Sequence, residues 1–148
     1  MIHSQNERIV AELPTAAVGA TATATMTIDT LGYDHASITV VRASNASTVF
    51  ATAVKVEESD ESGSGFSNVT ALVGGGTGGF SIPAISVAGT ASAAVLKMDV
   101  DTKAKKRYLK VSYSPGATAT VGIVARLGRA EEAPVTAAET NVIGLVKG

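Results

Sequence analysis

Between Ala20 and Asp29 the chain reads ATATATMTID, with Ala20, Ala22, Ala24, Met26 and Ile28 alternating one by one with Thr21, Thr23, Thr25, Thr27 and Asp29. A period of two puts every apolar side chain on one face of an extended strand, which a helix repeating every 3.6 residues cannot do. The same pattern recurs along the chain. ASITVV aligns Ala36, Ile38 and Val40; KKRYLKVSYS aligns Leu109, Val111 and Tyr113; TATVGIVARL aligns Val121, Ile123, Ala125 and Leu127. In VFATAVKVEES the inward set is Phe50, Val54 and Val56, with Ala51, Ala53, Lys55 and Glu57 outward.

Turn chemistry punctuates these runs. LGYD at Leu31 to Asp34 is a turn, SDESGSG a polar hairpin connection returning through FSNVTAL, and SPGA the turn of the clearest hairpin, between KKRYLKVSYS and TATVGIVARL. After a flexible GGGTGG come FSIPAISV and SAAVLKMDV as further strands, Pro83 placing the first at a sheet edge or a bulge. Convincing helical spacing with caps is missing. About eight or nine short strands separated by turns give an all-β fold, an antiparallel β-sandwich, of which the jelly roll is one form. The expected division is an N-terminal arm over 1–15, the sandwich over 16–130 and a C-terminal tail over 131–148, both extended ends being short of strand partners. The tail docks on its own domain, stays disordered, or orders on a neighbouring subunit.

A chain of 148 residues holds one core of ordinary size. Its apolar residues are mainly Ala and Val and only 4% of it is aromatic, so the expected core is thin and gains from burial against further copies. The net charge of −1 supplies no field to gather nucleic acid or anionic lipid. The uncharged stretch from Ser62 to Leu96 is broken by Gly, Ser, Thr and Pro too often for a membrane span. Glu7, Arg8 and Glu12 interrupt what an export signal would keep apolar. With no cysteine there is neither disulfide nor thiolate metal site. These features lead us to expect a soluble protein with no membrane and no nucleic-acid partner.

Each motif that resembles a site has a plainer explanation. Gly74 to Gly79 matches G-x-G-x-x-G in form, yet no helix follows to hold a pyrophosphate, so a loop is expected. Glu57, Glu58, Asp60 and Glu61 have the hard oxygens of a calcium site without its spacing and suit a solvated hairpin tip better. His3 and His35 are the only histidines, far apart in sequence, and no G-x-S-x-G elbow accompanies the serines. We therefore expect no enzyme activity, cofactor, metal or small-molecule substrate. The cluster around Lys103, Lys105, Lys106 and Arg107 follows Asp99 and Asp101 closely, which makes it a solvated turn or a contact for an acidic protein surface. Asn45 and Asn68 sit in glycosylation-like triplets that short sequences produce by chance.

Taken in order, IDTLGYDHASITVV, AVKVEESDESGSGFSNV, KKRYLKVSYSPG and VGIVARLGRAEEAP resemble small head proteins of tailed bacteriophages, in particular capsid decoration or cement proteins, over residues 28–134. The resemblance implies a β-rich homo-oligomer, typically a trimer. It would assemble in the host cytoplasm onto the outer capsid surface of the virion and stabilise contacts between major capsid protein subunits. On that reading Lys103, Lys105, Lys106 and Arg107 would supply charge complementarity to the capsid or to another subunit, and Val142, Ile143 and Leu145 apolar burial. The rival is a carbohydrate- or receptor-binding sandwich of a head or tail fibre, disfavoured because the chain has no Trp and only Tyr33, Tyr108 and Tyr113.

Overall fold

The computed structural model describes residues 7–85, 93–128 and 144–147, the side chains of 144, 145 and 147 excepted. Nine strands account for the regular structure there: β1 (Arg8–Glu12), β2 (Ala24–Asp29), β3 (His35–Arg42), β4 (Ala51–Ser59), β5 (Ser67–Val73), β6 (Ala94–Asp101), β7 (Tyr108–Pro115), β8 (Val121–Gly128) and β9 (Gly144–Lys147). Among the described residues the only helical element is one 3-10 turn, Thr102–Ala104, whose Lys103 N–H donates to the Asp101 carboxylate.

Two sheets pack face to face, one ordered β1-β8-β3-β6-β9 and the other β2-β7-β4-β5. The antiparallel partners nest. β4 pairs with β5, β3 with β6, β2 with β7 and β1 with β8, as in one long hairpin rolled up so that successive pairs fall alternately in the two sheets. The β3–β8 and β4–β7 pairings then stitch each sheet together. This is the strand order of a jelly roll, with β9 added in parallel beside β6.

The alternation is realised in burial. Ile28, Ala36, Ile38, Val40, Phe50, Val54, Val56, Leu109, Val111, Tyr113, Val121, Ile123, Ala125 and Leu127 all belong to one core cluster. Large side chains carry more of this interior than the Ala- and Val-rich composition suggests: Phe50, Leu72, Leu96, Met98 and Tyr113 are all fully buried. Tyr113 packs on Phe50 with ring centroids 5.3 Å apart and donates its hydroxyl to the Phe50 carbonyl at 2.6 Å. Its phenol is therefore satisfied inside the core, and burial pushes its pKa up.

Several expectations need correction. β7 and β8 are not a hairpin: β7 lies between β2 and β4 and β8 between β1 and β3, so the SPGA turn carries the chain from one sheet to the other. That turn is tight, since a Cβ on Gly116 would lie 2.3 Å from the Val49 carbonyl oxygen. The ends also have strand partners, β1 forming one edge of the five-stranded sheet and β9 the other. β2 starts only at Ala24; before it Ala22 N–H donates to Gly19 in a turn, leaving Ala20 and Ala22 exposed. FSIPAISV contributes isolated bridges at Phe80 and Ala84 instead of a strand, and its last residues lie outside those described. Ala51 is buried, not outward, where the β4–β7 register shifts between Ala51 and Ala53.

Candidate functional site

The opposite outer faces of the sandwich and one charged end of it hold the side chains available for chemistry or contact. Cross-strand register defines the outer face of the five-stranded sheet, because paired residues point to the same side. Arg8, Val10 and Glu12 pair with the buried Leu127, Ala125 and Ile123, so Ile9 and Ala11 turn outward with Arg126 and Val124. Leu13 continues that side, its Cδ1 lying 3.5 Å from where a Cβ on Gly122 would be. Gly122 pairs in turn with Val41, and Val41 with Val95. The result is an apolar strip of Ile9, Ala11, Leu13, Val124, Val41 and Val95, with Ile9 68% and Leu13 71% exposed. Beside it the same face carries Ser37, Thr39 and the ion pair of Lys97 with Asp99. Arg126 at its margin is held by a bidentate pair with Glu7.

The outer face of the four-stranded sheet is polar. One row runs Thr25, Ser112, Lys55 and the next Thr27, Lys110, Glu57, Asn68. Glu57 takes Lys55 Nζ at 2.9 Å and Lys110 Nζ at 3.0 Å. Burial pushes its carboxyl pKa up, but the two ammonium hydrogen bonds outweigh this and hold it below its ordinary value. The expectation of four solvated carboxylates at a hairpin tip therefore fails for Glu57, which is buried within the sheet face by the two lysines. Lys110 also lies over the Phe66 ring at 4.4 Å.

The basic stretch lies at one end of the sandwich, between β6 and β7, and most of its charge is engaged within the chain. Arg107 makes a bidentate pair with Asp29, through Nε at 2.9 Å and Nη2 at 2.8 Å. These hydrogen bonds chiefly bring the Asp29 pKa down to about 2, helped by the Leu31 N–H and the charges of Arg107 and Arg8 and opposed by partial burial. Lys106 bridges to the β4–β5 hairpin, its Nζ to Asp60 at 3.2 Å and its N–H to the Glu58 carboxylate at 3.0 Å. Lys103 pairs with Asp34 at 3.5 Å. Thr30 Oγ1 donates to the Arg107 carbonyl and Thr102 Oγ1 to that of Tyr33, completing the tie between the β2–β3 turn and the β6–β7 connection. Lys105 is half-buried in the same connection. Of the apolar residues expected to make contacts, Val142 and Ile143 lie outside the described residues, and Leu145 is on β9 in register with Lys97.

His35 Nε2 is 3.7 Å from the Asp99 carboxylate, which also pairs with Lys97 Nζ at 2.9 Å. Beside it Asp34, His35, Asp101 and Lys103 line an open cavity of about 250 Å³. His3 lies outside the described residues, and among those described no three His, Cys, Asp or Glu side chains are grouped to hold a metal ion. No helix among them is long and apolar enough to cross a membrane. The GGGTGG segment is a compact turn. Gly75 N–H donates to Phe80 and Phe80 N–H to Val73, Gly75 and Gly78 have positive φ, and a Cβ on Gly79 would lie 1.9 Å from the Val73 carbonyl oxygen. Asn45 is half-buried and donates through Nδ2 to the Ala117 carbonyl at 3.1 Å.

Three structurally placed residues, Arg42, Ile9 and Leu13, were not among the candidates read from the sequence. Arg42 is fully buried and donates to the Val49 and Ser47 carbonyls, fastening the β3–β4 connection. Its even position in a strand with Ala36, Ile38 and Val40 was the available signal, and its charge masked it. Ile9 and Leu13 were the other omission; with Ala11 they alternate at period two, a signal too short to stand out where Arg8 and Glu12 occupy the side that faces the core. No protein-family model and no curated protein matches the chain.

Proposed function

We propose that the protein is a structural virion protein that decorates the outer capsid surface as an oligomer, a trimer by the resemblance, and stabilises contacts between major capsid protein subunits. The observation that carries this reading is the unequal dressing of the two outer faces. A sheet exposing Ile9, Leu13, Val41 and Val124 gains by lying against another protein, while the opposite sheet of hydroxyls and paired charges suits water. A decoration protein needs both, one side on the shell and the other in solvent. The mechanism is buried apolar area repeated over many copies, each modest contact gaining from multivalency.

The rival carbohydrate-binding reading requires exposed aromatic platforms. Tyr113 and Phe50 are buried, Tyr33 and Phe80 pack against the core, and Tyr108 and Phe66 are half-buried beneath Arg107 and Lys110.

The deciding experiment adds purified protein to phage capsids that lack it. Saturable binding with a rise in the temperature at which the shells disrupt is the expected result. Absence of binding to expanded and unexpanded shells alike, or binding to cell-surface glycans instead, overturns the proposal.

A further inference from the structure

β1 is an edge strand that, among the described residues, pairs only with β8, which leaves one side of its backbone without a strand partner. Such an edge is a template for another strand unless something blocks it. RIVAE has no proline, its register with β8 is uninterrupted from Arg8 to Glu12, and Ile9 is largely exposed. The only obstacle along the strand is the pair of charges Arg8 and Glu12 on the core-facing side, which blocks any strand that leaves them unmatched.

The sequence of the strand selects its occupant. Arg8 and Glu12 stand at its two ends on the same side, and neither takes part in an ion pair among the described residues; Arg8 acts on Asp29 only through its field. An antiparallel copy of β1 centred on Val10 would place Arg8 opposite Glu12 of the second molecule and Glu12 opposite its Arg8. Val10 would meet Val10, and Ile9 would meet Ala11 on the outer face. Shifting the centre by one residue to Ile9 or Ala11 loses both charge matches, and a parallel pairing in register sets Arg8 beside Arg8. The other edges lack this property. β2 carries a charge only at Asp29, β9 only at Lys147, and β5 has none and a break in register against β4.

We propose that two copies of the chain join through antiparallel β1–β1 pairing about a two-fold axis at Val10, making one continuous sheet from two five-stranded ones. The contact is isologous and closes on itself. It pairs monomers, or links two trimers where a three-fold contact also exists. It exists whether or not the protein sits on a capsid, and it would merge the two apolar outer faces into one wider surface. A five-residue strand pair buries less than a standard stable interface, so association in dilute solution is weak and becomes effective in an array.

The test uses the full chain in sedimentation velocity over a concentration series at low salt, with R8E, E12R and the R8E/E12R double variant. The unaltered chain should double in mass as concentration rises. Each single reversal should raise the dissociation constant at least about tenfold by setting like charges opposite each other twice, and the double reversal should restore it to within about threefold. Thermal melting of the three variants checks that each is folded. Amide exchange over residues 8–12 of the unaltered chain should slow in step with the mass change, a readout that needs no variant. A mass that never doubles, single reversals without effect, failure of the double variant to recover, or exchange at β1 indifferent to concentration would each overturn the pairing. Capsid binding is not part of the readout, so failure here leaves the decoration reading standing, and the converse holds.

Discussion

Across the five-stranded sheet the side chains pointing away from the core include Ile9, Ala11, Leu13, Val41, Val95 and Val124, whereas across the four-stranded sheet they include Thr25, Thr27, Ser112, Lys55, Lys110 and Glu57. Inside, the two sheets are alike, each sending Val, Ile, Leu and Ala into one shared cluster. The difference teaches that the fold is specified by the inward half of each alternation, which leaves the outward half free to set the surroundings. One face keeps apolar area that the chain itself does not cover. Both satisfy their charges locally, the first through Lys97 with Asp99 and Arg126 with Glu7, the other through Glu57 between Lys55 and Lys110.

The largest expected effect comes from charging the apolar face. V41E/V124E should lower attachment to capsids at least about a hundredfold, because two carboxylates would have to be desolvated against the shell. A thermal melt should show a far smaller effect, a modest loss of stability from two outward-facing but partly covered strand positions, 38% and 36% exposed. If the shell binds this variant normally, the face is not the docking side.

On the polar face the expected effect is on folding instead. E57A removes the carboxylate between Lys55 and Lys110 and sets two ammonium groups near each other, at a cost of about 2 kcal/mol in denaturant unfolding. Capsid attachment of the folded variant should be unchanged. Loss of attachment with intact stability would reverse the roles of the two faces.

A smaller effect follows from Asp29. Its folded pKa of about 2 lies below the ordinary 3.8, so the stability from its pairing with Arg107 is fully present above pH 4 and is lost as pH falls through 2. The difference in melting temperature between the unaltered chain and D29N should therefore shrink from pH 4 to pH 2. A difference constant across that window would mean the charged end does not hold Asp29 as described. Smallest of all, T27S on the polar face should change stability by no more than about 0.5 kcal/mol and leave attachment unaltered, as a control for the valine positions.

Where period two was strict and one face deeply buried, as in β3, β7 and β8, inward residues could be assigned from sequence one by one. The partners of β7 and β8 could not. A Pro-Gly turn has the same local chemistry whether it returns within a sheet or crosses to the opposite one, and what decides is that β2 and β4 occupy both edges of β7. β1 escaped notice because an edge strand buries little, only Val10 being partly covered. Ala20 and Ala22 erred the other way: alternation persists there, but the chain is already turning. For the candidate surfaces, composition pointed to the basic cluster, yet Lys103, Lys106 and Arg107 are committed to Asp34, Asp60 and Asp29, partners distant enough in the chain that only the fold brings them together.

The nesting of the strand pairs also sets a timetable for biosynthesis. β4 and β5 are neighbours along the chain and can zip together early, but Arg8 finds its place beside Leu127 only after nearly everything between them has left the ribosome. A nascent molecule must therefore carry β1 single until β8 has emerged, and only β9, later still in the chain, joins the five-stranded layer from the opposite edge.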